Sequence, residues 1–510
     1  MATPCKPPCD EAVIRSAASP TSGIPRAGTW VLVATILGSS MAFIDGTVVN
    51  VALPAIQSSL HATISQIQWV VESYALLLAA LLLTGGSLGD LHGHRNIFTI
   101  GVVVFSLASL WCGLAPDIHQ LVLARSLQGV GGALLVPGSL ALISITFPGD
   151  RMGRAIGIWS SFTSITAAAG PVIGGWLIQH SSWRWVFFIN LPIALMVVAI
   201  CLLAIPKQAV KEAAKLDWIG ALLTTLGLGG IVYAFLESNP IAGLAGVACL
   251  VGFLFAESRS PAPMLPLSLF RSRTFAGVNL LTLFLYAALS GVFFFLPLNL
   301  IQVQGYTPTA AGGALLPFIL LVFLLSGWSG GLIKRYGARK PLIVGPLIAS
   351  VGFGLYAVPG IGGSYWTTFF PATLILGLGM AISIAPLTTA VMTAVGQEHS
   401  GIASGVNNAV SRAAGLLAIA ALGFVLNTAF NAALDSKLSG LQPEVRKQVD
   451  KERPKLAAGA ASIQDEQGQL AMKQAFVSGF KVISLVSAVL GLASAVTTVW
   501  LIKDPRESKP

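Results

Sequence analysis

Charged residues are scarce in this chain. Lys, Arg, Asp and Glu make up 10% of 510 residues, against about 25% in a soluble domain, which excludes an ordinary water-facing surface. Cysteine is scarce too. Cys112, Cys201 and Cys249 lie in or beside apolar runs, and Cys5 and Cys9 have no His or further Cys near them. Neither a disulfide framework nor a metal clip is expected. There is no phosphate-binding Gly-Lys-Ser/Thr loop, which argues against ATP drive. A His/Cys/carboxylate cluster with metal spacing and a nucleophile elbow are missing as well, so no enzyme and no metal are expected. Residues 1–29 hold no charged-then-apolar signal peptide, and the run from Trp30 is too long for a cleaved h-region and reads as a retained span. The net charge of +10 does not imply nucleic acid, because the basic residues fall in short segments between apolar runs rather than in one patch.

Apolar residues dominate instead, at 55%, with a mean hydropathy of +0.79. At about 20 apolar residues per crossing, the chain divides into fourteen spans, and its 54 glycines suit close helix packing. The spans fall near 30–55, 66–87, 97–115, 121–147, 154–178, 184–205, 216–236, 241–257, 275–300, 309–333, 341–358, 366–393, 402–428 and 477–502. Spans seven and eight form a tight hairpin. An even count puts both termini on one side. Lys and Arg concentrate on the side of Lys6, Arg15, Arg95, Arg151, Arg154, Lys207, Lys215 and Arg339. The 429–476 segment argues the other way with Lys437, Arg446, Lys447, Lys451, Arg453, Lys455 and Lys473, but a late, longer loop weighs less than early short ones, so both termini are expected in the cytoplasm. The 429–476 segment then falls outside as a long polar loop and is a candidate contact for a periplasmic adaptor.

One carboxylate sits near the middle of span one, in Phe43-Ile44-Asp45-Gly46-Thr47-Val48-Val49-Asn50. An ionised acid in hydrocarbon costs roughly 2.5–3.5 kcal/mol on insertion scales, so such a group is expected to face a cavity and a partner. Arg125 in span four is the clearest partner. Opposite charge holds a carboxylate ionised while burial favours its neutral form, so a small rearrangement can switch protonation. Asp45 is therefore the expected proton carrier, with Arg125 as its modulator; the alternative is a static pair joining two helices. Glu72, about 9 Å below the outer end of span two at 1.5 Å per residue, reads as a second protonation site, a lure for cations, or a lining residue without a transport role. Trp69 beside it reads as an interface anchor.

The loop after span two reads Gly86-Ser87-Leu88-Gly89-Asp90-Leu91-His92-Gly93-His94-Arg95. Gly86, Leu88, Gly93 and Arg95 recur as Gly330, Leu332, Gly337 and Arg339. Such a repeat predicts two six-helix halves rocking about a midplane site. Gly93 would make the turn, and Asp90 with Arg95 an inter-helix charge latch at the cytoplasmic face; the plainer reading is a positive loop that only sets topology. Expected units are a tail (1–29), a first bundle (30–206), an inserted hairpin with flanking loops (207–274), a second bundle (275–502) and a tail (503–510).

Four stretches resemble the major facilitator superfamily and, within it, the fourteen-span drug:proton antiporters. They are Asp45–Pro54 in span one, the Gly86–Arg95 loop, Arg125-Ser126-Leu127-Gln128-Gly129-Val130-Gly131-Gly132-Ala133 in span four, and Gly170-Pro171-Val172-Ile173-Gly174-Gly175 in span five, followed by the Trp183–Pro192 run. The resemblance implies an all-α integral membrane protein with two six-helix bundles and two extra spans. It further implies export of amphipathic or cationic drug-like molecules in exchange for protons, with no cofactor beyond the proton-motive force. Gly170, Pro171, Gly174 and Gly175 correspond to the motif associated with antiport, and Pro171 predicts a kinked, tightly packed helix that seals one face. Asn50, Gln128, Asn299, Gln302, Asn407, Asn408 and Arg412 are candidates to line the pathway; those of the second half read equally as interhelical glue. Phe284, Tyr286, Phe293, Phe294 and Phe295 could stack on an aromatic substrate. Alternatives are a narrow exporter of one natural product or metabolite, proton-coupled uptake, and a non-transporting receptor.

Overall fold

The computed structural model describes residues 26–147, 150–206, 217–260, 263, 265–395 and 400–502. The tail with Cys5, Cys9, Lys6 and Arg15, the linker with Lys207, Lys211 and Lys215, and the tail from 503 lie outside the described residues.

Backbone polar groups in hydrocarbon have no water to bond, so each crossing must satisfy them within a helix. Among the described residues thirteen helices are long and apolar enough to cross a membrane, and the fourteenth crossing is the 17-residue helix Arg339–Leu355. Spans one to five are Arg26–Ser59, Ile64–His92, His94–Leu114, Ile118–Thr146 and Asp150–His180. Span six is Trp185–Phe188 followed by Asn190–Ala204, and spans seven and eight are Trp218–Leu236 and Pro240–Arg259. Span nine is Arg273–Leu298, span ten Pro308–Gly313 followed by Leu316–Tyr336, and span eleven Arg339–Leu355. Spans twelve to fourteen are Tyr365–Thr393, Ser400–Leu438 and Glu466–Leu501.

Many starts are written locally. Thr63 and Gln66 form a capping box, and Asp117, Asp217, Asn239, Ser272, Thr307 and Asp465 each accept a first-turn N–H. Spans six and ten, predicted as single helices, are broken. Pro192 and Pro317 lack the N–H that would bond the carbonyl four residues back, at Phe188 and Gly313.

The 429–476 segment is not a loop. Span thirteen runs on to Leu438 and span fourteen begins at Glu466, and Pro443–Glu452 and Arg453–Ser462 between them are also helical. Hydropathy falls here, which ends a span but not a helix. Phe430, Leu434, Leu438, Val449, Leu456, Met472 and Phe476 are buried and continue the core of the spans into this cap.

Packing repeats between the halves. Span four packs on spans two and three as span twelve does on ten and eleven, and span one packs on five and six as span nine does on thirteen and fourteen. Span seven of the hairpin lies against spans two and thirteen, bridging the halves.

The two ends of the bundle differ. At the end bearing the helical cap, spans five and ten meet backbone to backbone: a Cβ at Gly312 would collide with the Pro171 carbonyl, and one at Gly175 with that of Pro308. Gln302 donates to Gln57 at 2.8 Å, and Gln57 to the Lys455 carbonyl at 3.1 Å. Toward the end bearing Gly93 and Gly337, spans five and ten separate around a cavity of about 510 Å³ that Ser160, Ser161, Phe323 and Ser326 help to line. The molecule is closed at the cap end and open at the glycine-turn end.

Candidate functional site

Span four builds the centre of the site. Arg125 and Gln128 stand three residues apart and so share a helix face. Gly129 and Gly131 let the neighbours come close: a Cβ at either would stand 2.5 Å from the Tyr74 carbonyl oxygen or the Phe105 amide nitrogen, respectively. Span four is thereby drawn against spans two and three, and the guanidinium enters the first bundle's interior.

Asp45 is wholly buried and held at both oxygens. Arg125 Nη1 donates to Oδ2 at 2.5 Å, and Gln128 Nε2 donates to Oδ1 at 2.8 Å. Arg125 Nε donates to the Val70 carbonyl at 3.0 Å, and its guanidinium carbon lies 4.2 Å from the centroid of the Tyr74 ring. The network continues through Gln128 to Ser109 (3.4 Å), which accepts from Asn190 at 3.0 Å and donates to the Phe187 carbonyl at 2.8 Å. Spans one, two, three, four and six therefore meet on one buried polar chain. Ser109 and Asn190 were not singled out in the sequence. Asn190 lies in the Trp183–Pro192 run, which offered a signal; Ser109 offered none.

Glu72 does not join this network. It is fully buried, and neither carboxylate oxygen has a hydrogen-bond partner among the described residues. It shares a helix face with Gln68 and Leu76. Gln68 donates to the Ile419 carbonyl of span thirteen at 2.9 Å, and Leu76 packs with Leu228, Val232 and Leu416. Glu72 thus faces the seam of the hairpin and span thirteen, turned away from Tyr74. Trp69, near the start of span two, is fixed by an Nε1 hydrogen bond to Glu237 at 3.2 Å.

Asp90 and Arg95 do not pair in this conformation. Asp90 is exposed and contacts His94 one turn on, at 3.1 Å. Arg95 is buried and donates to the Cys201 and Leu202 carbonyls at 2.7 and 3.2 Å, tying span three to the end of span six. Gly93 takes φ 86°, a conformation that favours glycine, and Gly86 lies within van der Waals reach of Pro137 in span four.

Span five is continuous through Pro171. Its small residues face two partners. Gly170 and Gly174 pack on Thr47 and Val48 of span one, and Gly175 and Pro171 pack on the first piece of span ten.

The pathway candidates divide. Asn50 lines both the 510 Å³ cavity and an adjoining one of about 350 Å³, and Arg412 lines the latter beside Arg125. Gln302 lines a third cavity, at the closed end. Asn299 instead accepts from Gln304, which also clasps Gly360 and Gly362 in the turn between spans eleven and twelve. Asn407 donates to Asn279 and Thr282 and glues span thirteen to span nine, while its neighbour Asn408 is exposed. Asn299 and Asn407 thus take the second of the two readings the sequence left open, interhelical contact, and Asn408 lies one turn before Arg412 on the same helix face. Phe293 lines both cavities and Phe294 one; Phe295 is buried in the core.

Residues 35–419 match the sequence profile of the Major Facilitator Superfamily. Multidrug resistance protein Stp of Mycobacterium tuberculosis is 34% identical, over 93% of this chain and 92% of that protein. The tetracenomycin C resistance and export protein of Streptomyces glaucescens is 34% identical, over 80% and 78%. Among solved structures, a bacterial homologue of the human lysosomal transporter Spinster, in an inward-facing and occupied conformation, superposes with a TM-score of 0.66 at 18% identity, covering 96% of this chain and 99% of that one.

Proposed function

The chain belongs to the major facilitator superfamily and is a multi-pass membrane transporter, and on that premise we propose that it exports drug-like small molecules across the cytoplasmic membrane in exchange for protons. The observation that carries this reading is Asp45, the acid shared by Arg125 and Gln128 behind the wall of a cavity that Arg125 lines. Relatives named for drug resistance and antibiotic export support the direction of transport.

In this reading Asp45 is the proton carrier. A proton on Asp45 cancels its attraction for Arg125, which keeps its bonds to Val70 and Gln128. The joint between spans one and four then loosens, and the halves, 30–206 and 275–502, rock. Gly170, Pro171, Gly174 and Gly175 form the seal at the cap end. The Gly93 end faces the cytoplasm, a placement that the Lys and Arg of the short loops support, and Asp90 and Arg95 form a latch there when that end closes. Glu72, at the hairpin seam, serves the fit of span seven rather than the proton path.

Drug susceptibility of an efflux-deficient bacterial host tests the reading. Wild type should protect against several unrelated compounds, and Asp45→Asn should abolish protection. Protection against one compound would indicate a narrow exporter, and heightened sensitivity would indicate uptake.

A further inference from the structure

The charges at the centre of the molecule do not suit a cationic cargo. The 350 Å³ cavity is lined by two guanidinium groups, Arg125 and Arg412, with Tyr74, Asn50, Ser290 and Phe294. Asp45 lies behind that lining, is 0% exposed and spends both oxygens on Arg125 and Gln128, and Glu72 is turned to the hairpin seam. Among the described residues, the adjoining 510 Å³ cavity has no ionisable side chain in its lining.

Arg412 is the group left over. Its Nε is buried, and among the described residues it has no hydrogen-bond or ion-pair partner. Arg412 is half-buried on the cavity wall, and a molecule bound there that displaces its remaining water must supply an anion or several acceptors to offset the lost hydration. Its planar fork of donors fits a carboxylate or sulfonate bidentately. Tyr74, Phe293 and Phe294 supply aromatic faces near it.

We propose that Arg412 is the anion-recognising residue of the substrate site, and that the favoured cargo is an aromatic compound carrying an acidic group, a carboxylate, sulfonate or ionised phenol. The proposal rests on the export reading above and narrows its substrate class: of the amphipathic or cationic molecules expected from the sequence, the cationic ones are disfavoured.

Two xanthene dyes of opposite charge test it, fluorescein as the anion and rhodamine 123 as the cation. Binding to the purified full-length protein in lipid nanodiscs is followed by fluorescence anisotropy. Wild type should bind fluorescein about tenfold more tightly than rhodamine 123, the scale of one charge-assisted hydrogen-bonded contact. Arg412→Gln should remove that preference, and Arg412→Lys should restore part of it. Equal or tighter binding of rhodamine 123 by wild type overturns the proposal whatever the variants do, as does an unchanged ratio in Arg412→Gln. Everted vesicles separate this from the export reading. Proton-driven accumulation of rhodamine 123 without fluorescein would leave export standing and sink the anion site. Fluorescein binding that depends on Arg412, with neither dye moved by a pH gradient, would keep the site and sink export.

Discussion

Arg95 and Arg339 occupy matching places in the two halves, and each anchors the last span of its own half. Arg95 donates to the Cys201 and Leu202 carbonyls, and Arg339 donates to that of Val499 at 2.8 Å. Each follows a glycine turn of positive φ, 86° at Gly93 and 74° at Gly337. The final carbonyls of a helix have no partner within it and carry its negative dipole end, so a cation there contributes twice.

Removing that anchor should cost stability. Arg95→Ala should lose about 1.5–3 kcal/mol, the range for hydrogen bonds to charged groups, and Arg339→Ala less, because its bond is more exposed. Thermal unfolding of the purified variants measures both; an Arg95→Ala protein as stable as wild type would remove the anchoring role.

The closed end should act as a moving gate. Gln57 and Gln302 touch across the halves here, so cysteines at both positions, joined by a short reducible thiol cross-linker, should hold this end shut. Transport should stop on cross-linking and return on reduction. Full transport by the cross-linked protein would show that the halves need not part there.

Small residues at the seal should be intolerant of bulk. Gly312→Val places a side chain against the Pro171 carbonyl, so the closed cap end should become unreachable while the protein still inserts. Overpacking typically costs about 1–3 kcal/mol. Labelling of a cysteine at Gln302 by a membrane-impermeant maleimide should rise. Unchanged labelling would contradict the seal.

Much of this was legible because charge in an apolar chain is rare. Asp45 and Arg125 announce themselves against their surroundings, and Gly93 and Gly337 by recurring in register. Polar uncharged residues carry no such contrast. Asn407 and Asn408 are adjacent and alike, yet one grips span nine and the other is exposed. Ser109 ties Gln128 to Asn190 and is indistinguishable in sequence from any serine in a span. The 429–476 segment is hard to read for another reason: falling hydropathy ends a span but not a helix, and Phe430, Val449 and Met472 carry the core of the spans onward into the cap.

Glu72 sets a contrast with Asp45. With no partner among the described residues to lose, Glu72→Gln should change stability by less than about 1 kcal/mol and leave proton-driven export intact. A loss of export equal to that of Asp45→Asn would make Glu72 a second proton site.

Proton release from the purified protein on addition of a compound it protects against, followed with a pH dye in weak buffer, tests the central claim most directly. Wild type should release protons in proportion to compound bound, and Asp45→Asn, still binding the compound, should release none. Undiminished release from Asp45→Asn would contradict the account.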